Sequence, residues 1–151
     1  MGSESRRRAI LEIVRTDRTF ERAEQGGRQI QVGKCLHCKA RLSAGADGMP
    51  LGRATSEHIL PRAHGGTGEP ANLALACDRC NHEKARRHDH RPRDDVRRIE
   101  VTAKLQRIRL DRWRHPPGVM EPSAAHGPRC AAAAAAGRRS SFVSRKRSER
   151  E

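Results

Sequence analysis

The spacing of apolar residues near the N-terminus predicts a helix followed by a strand. In the segment 5–17 the apolar residues share one face of a helix; they are Ile10, Ile13 and Val14. Gly26 and Gly27 then interrupt the chain, and residues 29–32 alternate polar and apolar side chains as a strand does. We therefore predict a short amphipathic helix, a turn and a strand.

The segment from Arg93 to Arg114 predicts a second helix. Its apolar residues recur every three or four positions, and Gln106 is the polar interruption of the stripe. The apolar members are Val96, Ile99, Ala103, Leu110 and Trp113. Two aspartates at 94 and 95 suit the start of a helix, and two prolines at 116 and 117 end it. We expect this helix to pack on or near the core, with the stripe as its apolar face.

Composition limits the core that the chain can build. Only 34% of the 151 residues are apolar, with two Phe, one Trp and no Tyr, and the mean hydropathy is −0.89. A core this thin usually needs a metal ion or disulfides for stability. The chain has five cysteines, which could stabilise the fold in either of these ways.

The charge balance predicts a polyanionic partner. There are 32 Lys and Arg against 18 Asp and Glu, which gives a net charge of +14 and an isoelectric point near 11.2. Nucleic acid is the favoured partner because its phosphates release counterions on binding; a solvated, arginine-rich surface is the alternative. No apolar run reaches membrane-spanning length and no signal-peptide pattern opens the chain. We therefore expect no membrane partner and a cytoplasmic location, where thiols bind metal rather than form disulfides.

Four of the five cysteines form two CxxC pairs. The pairs are Cys35 with Cys38 and Cys77 with Cys80. Together they supply four sulfur ligands and leave no open position, which is typical of a structural zinc site. A redox pair is the weaker alternative, because no βαβ pattern surrounds either CxxC. The remaining cysteine, Cys130, is expected to be an idle thiol.

Between and after the cysteine pairs lie four further polar residues. Glu57-His58 comes first, Asn72 follows, and Asn81 stands directly after the last cysteine of the pairs. This order resembles the HNH endonuclease family, in the form that carries zinc knuckles around a ββα-metal core. The resemblance covers residues 35–84, about a third of the chain.

The resemblance implies a role for each of these residues. His58 would be the general base, Glu57 and Asn81 would bind a catalytic Mg²⁺ or Mn²⁺, and Asn72 would brace the loop that orients His58. The chemistry asks for the same residue types, since phosphodiester hydrolysis needs a base and a hard cation needs oxygen ligands. Two positions depart from the commoner pattern: Glu57 replaces Asp, and Asn81 stands where a His is often found. His82, next to Asn81, is the competing candidate for that position.

Five basic residues flank these positions and are expected to contact phosphates rather than base edges; they are Arg62, Arg79, Lys84, Arg86 and Arg87. The favoured substrate is double-stranded DNA, cut by metal-assisted phosphodiester hydrolysis. Structured RNA is an alternative substrate, and a non-catalytic zinc module that binds nucleic acid is an alternative function. The sequence does not distinguish restriction, a mobile element or phage packaging as the biological setting. It also leaves open the target sequence, the choice between a nick and a double-strand cut, and the oligomeric state.

The sequence predicts an α+β fold in four segments. Residues 1–27 are an N-terminal helical extension, and residues 28–91 are the nuclease domain with its small zinc-stapled ββα-metal (His-Me finger) core. Residues 92–115 form the C-terminal helix, and residues 116–151 are a disordered basic tail, because they are rich in Pro, Ala, Ser and Arg.

Overall fold

The structure is a computed structural model and describes residues 3–116. Within this range the chain has the predicted α+β class, with three α-helices and two antiparallel sheets. No helix among these residues has both the length and the hydrophobicity needed to cross a membrane. The predicted disordered tail lies outside the described residues.

The first helix, α1, spans Ser3–Thr16 and packs through the face that the sequence predicts. Ile10, Ile13 and Val14 are buried on it. They form one hydrophobic cluster with residues from both sheets and with Cys35 and Cys77. The helix therefore rests directly on the part of the core that contains two of the four paired cysteines.

A four-stranded antiparallel sheet follows α1. Its strands are β1 (Glu21–Gln25), β2 (Arg28–Lys34), β3 (Arg41–Gly45) and β4 (Pro50–Leu51), which are hydrogen-bonded in that order. Gly26 and Gly27 join β1 to β2, and both have positive φ values, 58° and 73°. A two-residue hairpin turn of this kind favours glycine because both central residues are left-handed. Residues 21–25 were assigned to a helical extension by the sequence analysis, and that assignment is wrong for this strand.

The second sheet has two strands, and a helix follows it at once. The strand β5 (Ala54–His58) pairs antiparallel with β6 (Leu73–Cys77), with His58 opposite Leu73 and Ala54 opposite Cys77. All five residues of β6 are buried. The helix α2 (Asp78–Lys84) starts directly after β6 and continues into a π-helical turn, Ala85–Asp89. The predicted ββα unit is therefore β5, β6 and α2.

The last helix, α3, spans Val96–Asp111. The residue before it, Asp95, is its N-cap, and the Asp95 side chain accepts a 2.9 Å hydrogen bond from the Arg98 backbone N–H. The buried face of α3 is not the one that the sequence analysis predicted. The buried residues are Arg98, Thr102, Leu105 and Arg109. From the predicted apolar stripe, Val96, Ile99 and Leu110 are 66%, 49% and 65% exposed.

Buried arginines explain this reversal. The Arg109 guanidinium donates to the carbonyls of Leu73 (2.9 Å), Thr16 (3.1 Å) and Pro70 (3.0 Å) and to the Thr16 hydroxyl (2.5 Å). Arg112, just past the helix, donates to the carbonyls of Lys34 (3.0 Å) and Cys35 (3.3 Å). Buried carbonyls need donors, so these contacts compensate for burying the guanidinium groups.

Candidate functional site: a cysteine cluster and a ββα unit

The four paired cysteines meet at one point. Their sulfur atoms all lie within 4.8 Å of one another, and the Sγ atoms of Cys38 and Cys77 are 3.9 Å apart. In a tetrahedral zinc site with Zn–S bonds near 2.3 Å, neighbouring sulfurs are about 3.8 Å apart. The predicted cluster is therefore confirmed, and its dimensions suit one metal ion held by four thiolates.

Local backbone geometry aims the first cysteine pair. The Cys35 N–H donates to the Ala40 carbonyl (2.8 Å), the Lys39 N–H donates to the Cys35 carbonyl (3.2 Å), and Lys39 has a φ of 63°. The second pair is aimed by a helix start, since Cys77 caps α2 and Cys80 lies in its first turn. A tight turn and a helix N-terminus thus bring four sulfurs together from two distant segments.

The cluster has the electrostatics of a cation site. A backbone hydrogen bond from Ala40 lowers the pKa of the Cys38 thiol to about 7. Burial raises the pKa of Cys35, and burial together with the neighbouring cysteines raises that of Cys80. Four thiolates at this spacing would repel one another unless a cation lies between them, so the donor set fits a divalent thiophilic metal.

Glu57 is buried beneath the first cysteine pair. Its side chain is 1% exposed, and its Oε1 atom lies 2.6 Å from Nε2 of His37, the residue before Cys38. Its Oε2 atom has no hydrogen-bond partner and lies 4.0 Å from the Lys84 ammonium. One carboxylate oxygen is thus fixed by an imidazole, while the other is buried and uncommitted.

His58 ends strand β5, and its backbone is held firmly. Its carbonyl accepts a 2.9 Å hydrogen bond from the Lys84 ammonium, and its imidazole Nε2 accepts one of 3.2 Å from Nε of Arg62. Burial, followed by the nearby Arg62 and Lys84 charges, lowers the pKa of His58 below its usual value. The imidazole is therefore neutral near pH 7, with its ring hydrogen on Nδ1.

The His58 imidazole faces a cavity of about 200 Å³ that α1 helps to enclose. Arg8 and Glu12 of α1 line this cavity together with Arg62. Arg8 could not be identified as a site residue from the sequence, because nothing in a local motif indicates that a helix some fifty residues upstream lies beside it. The cavity brings cationic side chains from two distant segments beside the imidazole.

Asn72 clamps the loop that leaves β5. Its side-chain Oδ1 accepts from the Leu60 N–H (2.8 Å), and its Nδ2 donates to the carbonyls of Leu60 (3.0 Å) and Thr67 (2.8 Å). Its own carbonyl accepts from the Ile59 N–H (2.9 Å). These contacts hold the two residues that follow His58, which is the geometry expected of a residue that braces this loop.

Asn81 lies on the face of α2 that covers β5, but it does not contact Glu57. Its Nδ2 donates to the Thr55 hydroxyl (3.1 Å), and Thr55 is two residues before Glu57 on the same face of the strand. Asn81 and His82 line an open surface groove of about 620 Å³. The structure therefore keeps the alternation of the strand: Glu57 and Thr55 point towards α2, and His58 points towards α1.

Among the five predicted phosphate-binding residues, Lys84 is misplaced by the sequence analysis. Its side chain is only 4% exposed, and its ammonium donates to the His58 carbonyl and to Asp89 (3.0 Å). Lys84 therefore acts inside the domain. Its ammonium is buried and bound to a carbonyl and a carboxylate, so it is not available to a phosphate at the surface. The four arginines of the set are exposed; they are Arg62, Arg79, Arg86 and Arg87.

His37 is the contact that the sequence analysis missed. The sequence shows it only as a filler between two cysteines, and its partner Glu57 is twenty residues away. The spacing inside a CxxC pair gave no signal, because the contact depends on how the knuckle folds over β5. Through His37, the cysteine cluster and the buried Glu57 carboxylate are one connected structure.

Comparison with known proteins agrees with this geometry. The sequence model of one family, described as HNH endonuclease, matches residues 35–96. Neither curated proteins nor solved structures gave a match to this chain. The matched range contains both cysteine pairs, the whole ββα unit and the four polar residues Glu57, His58, Asn72 and Asn81. Residues 35–96 of this chain are therefore similar to the HNH endonuclease family.

Proposed function

We propose that the protein is a metal-dependent endonuclease that hydrolyses phosphodiester bonds in DNA, with His58 as the general base. The observation that carries the proposal is the fixed presentation of His58. Lys84 holds its carbonyl and Asn72 holds the two residues after it, while its imidazole faces an open cavity. A base that is held in one direction and is neutral near pH 7 suits proton abstraction from water.

Arg62 links substrate binding to the base. In the structure its guanidinium donates to the lone pair on Nε2 of His58, the nitrogen that must accept the proton. A phosphate is a stronger partner for a guanidinium than a neutral imidazole is. An arriving phosphate therefore draws Arg62 away and frees Nε2.

His58 then accepts a proton from water at Nε2. The water oxygen bonds to phosphorus as the P–O3′ bond breaks, which leaves a 5′-phosphate on one fragment and a 3′-oxygen on the other. The 3′-oxygen takes up a proton to become a hydroxyl, and His58 returns its proton to solvent.

Glu57 and Asn81, on the α2 side of β5, are the residues that would hold a divalent cation. Glu57 offers a buried oxygen that has no hydrogen-bond partner and lies 4.0 Å from the Lys84 ammonium. Asn81, on the same side of β5, uses its Nδ2 for Thr55 and keeps its amide oxygen for another ligand. Hard cations such as Mg²⁺ or Mn²⁺ prefer such oxygens. When bound, the cation supplies positive charge at the scissile phosphate and at the leaving oxygen. His37 holds the Glu57 carboxylate in place, and the cysteine cluster holds a structural zinc.

DNA is the proposed substrate because of charge and of the arginines around the site. The net charge of +14 and the exposed Arg62, Arg79, Arg86 and Arg87 favour a phosphate backbone over a compact ligand. These contacts carry no base information, so we expect binding to fall steeply as salt concentration rises.

The first experiment is plasmid cleavage by the wild type and by His58→Ala, with Mg²⁺, with Mn²⁺ and with EDTA. We expect His58→Ala to lose a factor of about 10² to 10⁴ in rate, because it removes the proton acceptor. Zinc content and DNA binding should stay the same, since Lys84 holds a backbone carbonyl that survives the substitution. The matched control is His90→Ala, an exposed histidine directly after the π-helical turn that follows α2.

Each contrary outcome points to a different function. If His58→Ala cuts plasmid at the wild-type rate, the motif is not catalytic and the domain is a zinc module that binds nucleic acid. If the wild type cuts a structured RNA but no plasmid, the substrate is RNA. Cleavage that is unchanged in EDTA rules out the divalent cation.

A second experiment separates the base from the cation ligands. Glu57→Gln and Asn81→Ala should lose activity through weaker metal binding, so millimolar Mg²⁺ or Mn²⁺ should restore part of it, whereas His58→Ala should not respond. Should His82 prove essential and Asn81 silent, the cation site lies one residue further along α2 than proposed.

A further inference from the structure

One face of α3 is apolar and yet exposed. Val96, Ile99 and Leu110 are 66%, 49% and 65% exposed, and Ala103 and Gln106 between them are exposed as well. These five residues, which we name the α3 stripe, lie at intervals of three and four, the spacing of the a and d positions in a coiled coil. The helix contacts the body of the domain through its opposite face.

Such a stripe in water favours a partner with the same kind of surface. Exposed apolar residues scattered singly are ordinary, but a row along one helix is typical of an interaction site. The spacing of three and four fits another helix better than a groove or a flat surface, because alternating a and d side chains pack as knobs into the holes of a facing helix.

The stripe matches an antiparallel copy of itself. When the a residues of one helix face the d residues of the other, Ile99 meets Leu110 of the second copy, and Ala103 meets Gln106 of the second copy. A twofold axis repeats both layers, as a closed dimer interface requires. The large apolar pair thus occurs twice, and the small Ala103 side chain lies next to the axis, where the helices come closest.

The charges beside the stripe select this orientation. Glu100 and Arg107 occupy the e positions and are exposed, and no ion pair involves either of them within residues 3–116. In an antiparallel pair, e positions face e positions, so Glu100 lies opposite Arg107 of the second copy, twice. In a parallel pair, the e residues of one helix would face the g residues of the other. The g residues are Thr102 and Arg109, and both are buried against the domain and cannot form such pairs.

We propose that the protein forms a twofold dimer in which the α3 stripes of two copies pack antiparallel, with Glu100 of each copy paired to Arg107 of the other. The inference does not depend on the nuclease activity. A single pair of helices is a small interface, well below the roughly 1,200–2,000 Å² of stable complexes, and two chains of charge +14 repel each other. The dimer is therefore weak and depends on protein and salt concentration.

Sedimentation equilibrium of the full chain at moderate salt tests the proposal. Between about 2 and 200 µM, a range that brackets a dissociation constant of tens of micromolar, the mass should rise from that of the 16.9 kDa chain towards twice that value. Leu110→Lys should keep the chain monomeric throughout. The matched control is Met49→Lys, which changes an apolar residue that is 39% exposed outside the stripe and should dimerise like the wild type.

Charge reversal tests the register. Glu100→Arg and Arg107→Glu should each weaken the dimer about tenfold or more, because two ion pairs become two like-charge contacts. The double variant should restore dimerisation, since it exchanges the partners without changing their number. Arg97→Glu changes the charge as Arg107→Glu does, but away from the stripe, and should have little effect. Zinc content and circular dichroism confirm that each variant is folded.

Three results would overturn the proposal. The first is a chain that stays monomeric at every concentration, which would leave the stripe to another segment of the chain, to nucleic acid or to a different protein. The second is a dimer that Leu110→Lys does not disturb, which would place the interface elsewhere. The third is a double charge variant no better than the two single ones, which would exclude the antiparallel register.

Discussion

The helices α1 and α3 pack on different hydrophobic clusters and use their faces in opposite ways. The helix α1 buries Ile10, Ile13 and Val14 and leaves its arginines at 6–8 in solvent. The helix α3 buries Arg98 and Arg109 and leaves its apolar stripe in solvent. Hydrophobic periodicity predicted both helices correctly, but it predicted the buried face of only one.

The difference lies in what each helix packs against. The face of α1 meets apolar side chains from both sheets and two cysteines, so apolar residues are the best partners there. The Arg109 end of α3 instead meets backbone carbonyls at the end of α1 and at the entry to β6. A carbonyl in the interior needs a donor, and an arginine with five N–H groups satisfies several at once.

This contrast also divides the basic residues of the chain into two groups. Arg109 and Arg112 act as interior donors, and Lys84 holds His58 from inside the domain. They contribute to the net charge but are not free to bind phosphates. Charge alone therefore overstates the basic surface that is available to nucleic acid, and the exposed arginines carry that part of the proposal.

The largest expected effect comes from removing the metal, because the cysteine cluster joins the parts of the core on which both helices rest. Cys35 and Cys77 pack with α1, and Leu36, next to Cys35, packs with α3. Structural zinc typically contributes on the order of 10 kcal/mol or more to folding. We expect chelation, or Cys77→Ser, to unfold the domain, as followed by circular dichroism and elemental analysis.

The control for the metal prediction is Cys130→Ser, at a position outside the described residues. This variant should keep one zinc per chain and the wild-type melting curve. A metal-free protein that melts like the wild type would contradict a structural role for the cluster.

The next largest effect compares two arginines on α3. Arg109→Met removes the donor for two buried carbonyls, a part-buried carbonyl and a hydroxyl, and we expect a loss of about 3–5 kcal/mol in the free energy of unfolding. Arg107→Met, on the exposed side, should stay within about 0.5 kcal/mol of the wild type. Urea denaturation with zinc present measures both. Equal values for the two variants would show that the buried arginine face does not hold α3 in place.

The last prediction compares two isoleucines. Ile13→Ala on α1 opens a cavity in the core and should cost about 2–4 kcal/mol, whereas Ile99→Ala on α3 should cost no more than about 0.5 kcal/mol. Because the proposed dimer would bury Ile99, the measurement belongs at low protein concentration. If Ile99→Ala is as costly as Ile13→Ala in the monomer, the α3 stripe faces the core after all.

Much of the site was predictable from sequence because its ligands come in short patterns. Two CxxC pairs imply a four-sulfur cluster wherever they fold together, and the order Glu57-His58, Asn72, Asn81 carries the family resemblance. The bracing contacts of Asn72 fall within twelve residues, close enough for a local motif to anticipate them. The contact between His37 and Glu57 was not predictable, because it depends on the knuckle folding over β5.

By itself, then, the sequence determined the α+β class, the ββα unit, the cysteine cluster and the helical character of α1 and α3. These follow from local periodicity and from the ligand preferences of metals. Only the tertiary structure decided which face of α3 is buried and that Lys84 points inward. The physical reason is distance along the chain. Arg109 donates to Thr16, which is 93 residues away, and a local sequence pattern does not indicate which distant carbonyls will need a donor.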